Sequence, residues 1–225
     1  MEFPAPLRTA LEQSSAVLML GAGASIFAKN SWGNTMPGTA DLTKKLAIHF
    51  LNPSYANASL TKVADFAIEE ASLYEVQDFI GQLIGAFKPT PAHHIIPTFR
   101  WRAIVTTNYD TLIEQAYKEA KSPAQQIVPV YKNVDHWDSV MRDGDKVPLL
   151  KMHGCITDTH DQNCPLILST DQYVDYMKGR NRLFRYFQEL AAENAIVYIG
   201  YSLDDQDIRQ GDCTISHAPN STCSR

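Results

Sequence analysis

Apolar positions along this chain follow two rhythms. Short apolar-rich runs at Ala16 to Leu20, Arg102 to Thr107, Gln126 to Tyr131, Val147 to Met152, Pro165 to Leu168 and Ala195 to Ile199 read as buried strands. Between them the apolar residues step by three and four, the spacing of one face of a helix. From Leu60 to Phe87 that spacing runs through Val63, Phe66, Ala67, Leu73, Val76, Phe79, Ile80, Leu83 and Ile84, with a break predicted near Ser72. Further helices are predicted over residues 5–14, from a Thr39 or Asp41 cap to about Leu51, from Pro91 to Phe99, and over 111–121, 171–177 and 182–193. Ser169-Thr170-Asp171 reads most simply as the cap of the helix over 171–177. Strands alternating with helices predict an α/β fold, a Rossmann-like doubly wound parallel sheet. Residues 52–59 are turn-rich, and a small helical insertion over about 52–100 is expected to pack across the sheet edge. No internal repeat interrupts this order.

Three of the predicted strands run directly into residues with chemistry. Gly21-Ala22-Gly23-Ala24-Ser25 follows the first, Thr106-Thr107-Asn108-Tyr109-Asp110 the second, and Lys151-Met152-His153-Gly154 ends a later one. Parallel sheets of this class gather ligands at the carboxyl ends of their strands, so a glycine turn, an amide with a carboxylate, and an imidazole are expected at one crevice. Such a set suits a dinucleotide and the breaking of a bond within it. Each motif also has a plainer reading. The glycines serve either tight packing or close approach of a pyrophosphate to the main chain and to the start of a following helix. Ser25 either donates to a phosphate or caps a helix. Asn108 and Asp110 either cap a helix beginning near Tyr109 or hold a ribose hydroxyl, a water or a carboxamide. His153 is either a satisfied core residue or an imidazole that takes a hydroxyl proton near neutral pH. Gly200-Tyr201-Ser202 makes a second strand-end turn with a hydroxyl. No acidic residue closes a second predicted strand about 20 residues after the glycine turn, which weakens a hydride-transfer reading.

Composition narrows the partners. The formal net charge is −5 over 225 residues, with no dense block of Lys or Arg, so nucleic acid is not an expected partner. No apolar run approaches the roughly 20 residues needed to cross a bilayer. The start, Met1-Glu2-Phe3-Pro4, lacks the basic opening of a signal peptide, so a cytoplasmic protein is expected. Cys155, Cys164, Cys213 and Cys223 form no C-x-x-C pair, and no metal site is predicted; reduced thiols are expected. His93, His94, His136 and His160 have no ligand-like spacing with them and read as surface or packing residues. Residues 204–209 look like the start of another helix, but residues 210–225 are polar and aperiodic. That tail is either a natural disordered end or the product of truncation or a frame shift.

Taken in order, the Gly21–Ser25, Thr106–Asp110 and Lys151–Gly154 strings and the run Ile199 to Ile208 resemble the sirtuin superfamily, over roughly residues 10–209. More narrowly they resemble its bacterial branch of sirtuin-like NAD hydrolases, whose members often act in antiphage defence. The resemblance implies a catalytic domain over residues 1–209 with NAD as substrate and no metal. It implies that Gly21, Ala22, Gly23 and Ser25 hold the phosphates, and that Thr107, Gly200 and Ser202 complete the NAD site, the last two on the adenosine side. It implies further that Asn108 orders the nicotinamide ribose or a water, that Asp110 meets the carboxamide, and that His153 is the catalytic imidazole. Deacylating sirtuins carry two C-x-x-C pairs, a glutamine where Thr107 stands, and an acidic, arginine-bearing loop where this chain has Pro37 to Leu42. The expected activity is therefore cleavage of NAD to nicotinamide and ADP-ribose, depleting NAD in defence. The rivals are an NAD-dependent protein deacylase and a non-catalytic NAD-binding sensor. The candidate partners are a second copy of the chain or a separate sensor or partner protein, and how activity is controlled is left open.

Overall fold

A computed structural model describes residues 4–133, 143–161, 163–175 and 177–201. Ser202, His136, Cys213, Cys223, the helix start expected at 204–209 and the 210–225 tail lie outside the described residues. Among the described residues five strands form one sheet: β1 (Val17–Leu20), β2 (Ala103–Thr106), β3 (Gln126–Val130), β4 (Lys146–Lys151) and β5 (Ile196–Ile199). Their order is β3-β4-β2-β1-β5 and every neighbouring pair is parallel, as the α/β reading requires. Pro148 sits where β4 pairs only with β3; the ladder to β2 begins one residue later, at Leu149, so the missing N–H costs no bond to β2.

Alternation along the strands divides the core between the two faces. Val17 and Met19 of β1, with Val105 and Leu150, pack under α8 (Asn181–Glu193) through Leu183, Phe184, Phe187 and Leu190. Leu18 and Leu20, with Ile104, Val147 and Leu149, pack on the other face against Ala10 of α1 (Ala5–Glu12), Trp101, and Ile113 and Tyr117 of α6 (Leu112–Glu119). Helices on both faces make the sheet doubly wound. Each fully buried Leu or Ile contributes about 1.5–3 kcal/mol to this arrangement.

The long connection from β1 to β2 carries α2 (Thr39–Phe50), α3 (Leu60–Glu70), α4 (Leu73–Ile84) and α5 (Pro91–Ile95). The first three share a separate core built on Leu46, Val63, Ala67, Val76 and Ile80. The break expected near Ser72 is the N-cap of α4, where the Ser72 hydroxyl accepts from the Glu75 N–H at 3.2 Å. Ser169 likewise caps α7 (Thr170–Val174), with Gln172 returning the bond to the Ser169 N–H.

Two expectations are corrected. Pro165 to Leu168 is not a strand. Its Leu166 and Leu168 N–H groups are taken by the side chains of Gln77 and Gln172 at 2.6 and 2.8 Å, so buried amides satisfy it in place of a ladder. The glycine turn after β1 does not run into an α-helix either. Only one 3-10 turn, Ala22–Ala24, follows, and α2 begins at Thr39.

Candidate active site

Because β4, β2, β1 and β5 are adjacent and parallel, their carboxyl ends lie along one edge of the sheet. Those ends carry His153, Asn108 with Asp110, the glycine turn, and Gly200 respectively. A cleft of about 190 Å³ opens there. Its lining includes the polar Ser25, Thr107, Asn108, Asp110 and His153, the Ala22 of the glycine turn, and the apolar Met36, Leu42, Leu60 and Ile84. Gly21, Gly23 and Gly200 are not part of this lining.

The three glycines interlock. The Gly23 N–H donates to the Gly200 carbonyl at 2.8 Å, and the Gly21 N–H donates to that of Ile199 at 3.0 Å. A Cβ on Gly21 would lie 2.5 Å from the Gly200 oxygen, and one on Gly200 would lie 2.0 Å from the Ala24 nitrogen. Gly200 also has φ +63°, in the left-handed region that glycine enters without penalty. The tight-packing reading of this turn is thus met by the β5 turn. Of the turn's N–H groups, those of Gly21, Gly23, Ala24 and Ser25 have main-chain acceptors, and that of Ala22 has none among the described residues.

Asn108, Ser25 and Asp110 form one hydrogen-bonded group. The Asn108 Nδ2 donates to the Gly21 carbonyl at 2.9 Å and to the Ser25 Oγ at 3.1 Å. A carbonyl only accepts, so the Gly21 contact fixes which end of the amide is which. The buried Ser25 hydroxyl donates to the Asp110 Oδ2 at 2.8 Å, and the Asp110 Oδ1 accepts from the Leu112 N–H at 3.0 Å, at the start of α6. One Asp110 oxygen thus takes the N–H that opens α6, from one residue ahead of the N-cap Thr111, and the other anchors Ser25. The Ser25 proton is committed within the protein. Asn108 keeps its Oδ1 without a partner among the described residues.

His153 is buried, its ring edge-on to Tyr173 with centroids 5.6 Å apart. Its carbonyl accepts from the Ile167 N–H at 3.1 Å. Gly154, at φ +88°, makes the turn that follows, with Arg180 and Leu166 about it.

Sequence reasoning assigned no role to two buried groups beside this cluster. The Lys151 ammonium donates to the Asp110 main-chain carbonyl and to the Glu114 Oε1, the latter at 2.9 Å. Burial opposes its charge, but Glu114, Cys155 and Asp110 outweigh that and raise its pKa. His93, expected at the surface or in packing, is buried. Its Nδ1 accepts from the Thr90 N–H at 3.0 Å, and burial pushes the imidazole below its ordinary value against the pull of Asp110. Lys151 was visible as part of a motif; His93 lay in a helix start whose cap fixes it. Among the described residues no group of three His, Cys, Asp or Glu side chains is disposed to hold a metal, and Cys155 and Cys164 are buried free thiols.

A protein-family model described as a SIR2-like domain matches residues 102–215, just over half of the chain, beginning immediately before β2. The chain belongs to the SIR2-like family. SIR2-like domains are in general enzymes that use NAD, and Asn108, Asp110, His153 and Gly200 lie within the matched part. The turn at Gly21–Ser25 precedes the matched part and is hydrogen-bonded to Asn108, Asp110 and Gly200 within it. Comparison with curated proteins gives no match. Among the described residues no helix is long and apolar enough to cross a membrane.

Proposed function

We propose that this SIR2-like domain cleaves the nicotinamide–ribose bond of NAD with water, giving nicotinamide and ADP-ribose. One observation carries the proposal: Asn108, Asp110 and His153, from two strand ends, line a single small cleft beside the β1 turn. At about 190 Å³ the cleft is smaller than the roughly 300–1,000 Å³ of a site enclosing a drug-sized ligand. It suits the nicotinamide riboside end of the dinucleotide, with the rest running out past the β1 and β5 turns. The Ala22 N–H is the turn's uncommitted main-chain donor for a phosphate oxygen.

In the reaction a water oxygen bonds to the anomeric carbon while the carbon–nitrogen bond breaks. The electron pair stays with nicotinamide, which departs neutral, so no strong acid is needed at that step. One proton must leave the attacking water, and His153 is the group in the cleft suited to accept it. Asn108, its NH2 fixed by Gly21 and Ser25, offers Oδ1 to that water or to a ribose hydroxyl. Asp110 has acceptor capacity left for a carboxamide N–H beyond its two protein bonds. Holding the dinucleotide at both ends orients the scissile bond.

Chromatography of NAD incubated with purified protein tests this. Nicotinamide and ADP-ribose are expected from the wild type, with turnover lowered about 10²-fold or more by Asn108→Ala and by His153→Ala. Near-normal turnover in both variants removes these residues from the chemistry. Release of nicotinamide only when an acyl-lysine peptide is present supports a deacylase, and calorimetric NAD binding without product supports a sensor. We place the activity in antiphage defence by NAD depletion; unchanged NAD levels in phage-infected cells carrying the protein would refute that setting.

A further inference from the structure

Lys151 is wholly buried, and the chemistry above does not use it. A buried ion pair is commonly no more stabilising than an apolar pair of the same volume, so fold stability alone does not account for it. Its position does suggest a task. The β2–β4 ladder ends at the Thr106–Lys151 pair, with one more bond from the Met152 N–H to the Thr106 carbonyl at 2.9 Å. Asn108, Asp110 and His153 all lie beyond that last rung, where the two strand ends separate. The Lys151 ammonium spans this gap from β4 to the Asp110 carbonyl, with Glu114 of α6 as its counter-charge. Farther on, the two segments meet once more, where the Ile156 N–H donates to the Tyr109 carbonyl at 3.1 Å. The Asp110 side chain in turn holds Ser25, which holds Asn108.

We propose that Lys151 is a positioning residue, its buried ammonium clamping the Asp110 main chain and thereby setting Asn108 against His153. Its kinetic consequence rests on the NAD-cleaving reading; its structural consequence does not. Lys151→Met alone leaves Glu114 uncompensated and lowers both melting temperature and turnover, as a purely structural role also would. The deciding variant is Lys151→Met/Glu114→Leu, which removes both charges. It is expected to regain cooperative melting near the wild-type temperature while kcat for nicotinamide release stays about tenfold or more below wild type. KM for NAD is expected to stay within about threefold, as a transition-state misalignment requires. Recovery of kcat together with melting overturns the proposal, and so does a raised KM at wild-type kcat. If the double variant does not melt cooperatively, Lys151→Gln carries the same comparison: a folded, slow enzyme supports the clamp and full kcat overturns it. A crystal structure of the folded variant tests the clamp without turnover. The Ser25 Oγ to Asp110 Oδ2 separation, 2.8 Å in the wild type, is expected to open beyond about 3.5 Å. An unchanged bond overturns the clamp even if the wild-type protein proves inactive toward NAD.

Discussion

Removing the Ser25 hydroxyl tests the heart of the candidate site without assuming any reaction. Ser25→Ala deletes a charge-assisted bond to Asp110 at 2.8 Å and a bond from Asn108 at 3.1 Å. The first is worth about 1.5–3 kcal/mol and the second about 0.5–1.5 kcal/mol in buried surroundings. Asp110 borders the cleft, where water can reach the oxygen left behind, so the lower end applies and about 2 kcal/mol of lost stability is expected. For a domain of this size that corresponds to a melting temperature lower by about 4–8 °C. Chemical denaturation of wild type, Ser25→Ala, Asn108→Ala and the double variant completes the measurement. Because the two residues share a bond, the double-variant effect should fall short of the sum by about 0.5 kcal/mol or more. Strict additivity, or a Ser25→Ala cost below about 0.5 kcal/mol, would refute the three-residue group as drawn.

Three further outcomes follow from the same geometry. Gly200→Ala sets a Cβ 2.0 Å from the Ala24 nitrogen at a φ of +63°, a clash between main-chain atoms that no rotamer relieves; strain and overpacking together should cost about 2–5 kcal/mol by denaturant titration. Asn108→Asp turns a carboxylate toward the Gly21 carbonyl and brings it near Asp110, so its melting temperature should drop more than that of Asn108→Ala, and a smaller drop would mean the amide is not held as described. His93 has a folded pKa below its unfolded value near 6.5, so the unfolded chain takes up its proton first. Stability should therefore fall as pH drops through about 6.5, and His93→Gln, which keeps a capping acceptor but does not titrate, should flatten that part of the melting-temperature profile.

The strand ends were legible because buried parallel strands announce themselves as short apolar runs, and Ala16–Leu20 and Val147–Met152 show this plainly. Pro165–Leu168 carries the same signature without pairing, since an apolar run reports burial and not its hydrogen-bond partners. Of those partners Gln172 belongs to the local capping box of Ser169, but Gln77 lies 89 positions from Leu166 and nothing local to the run points to it. The convergence of Asn108 and His153 followed from strand order, which alternation of strands and helices restricts but does not fix. The commitments of Ser25 and of the Gly23 N–H were not readable. Each is set by a residue at least 85 positions away, Asp110 and Gly200, through contacts with no local pattern. Lys151 was visible within its motif but its burial was not, because its counter-charge Glu114 comes from α6, 37 positions away.

The interlocked glycines have a consequence for variation. Positions 21, 23 and 200 behave as a single character, because a side chain admitted at any one of them pries apart the backbones the other two hold in touch. Drift at these sites taken singly is blocked, so descendants of this chain should either keep all three or rebuild both turns together.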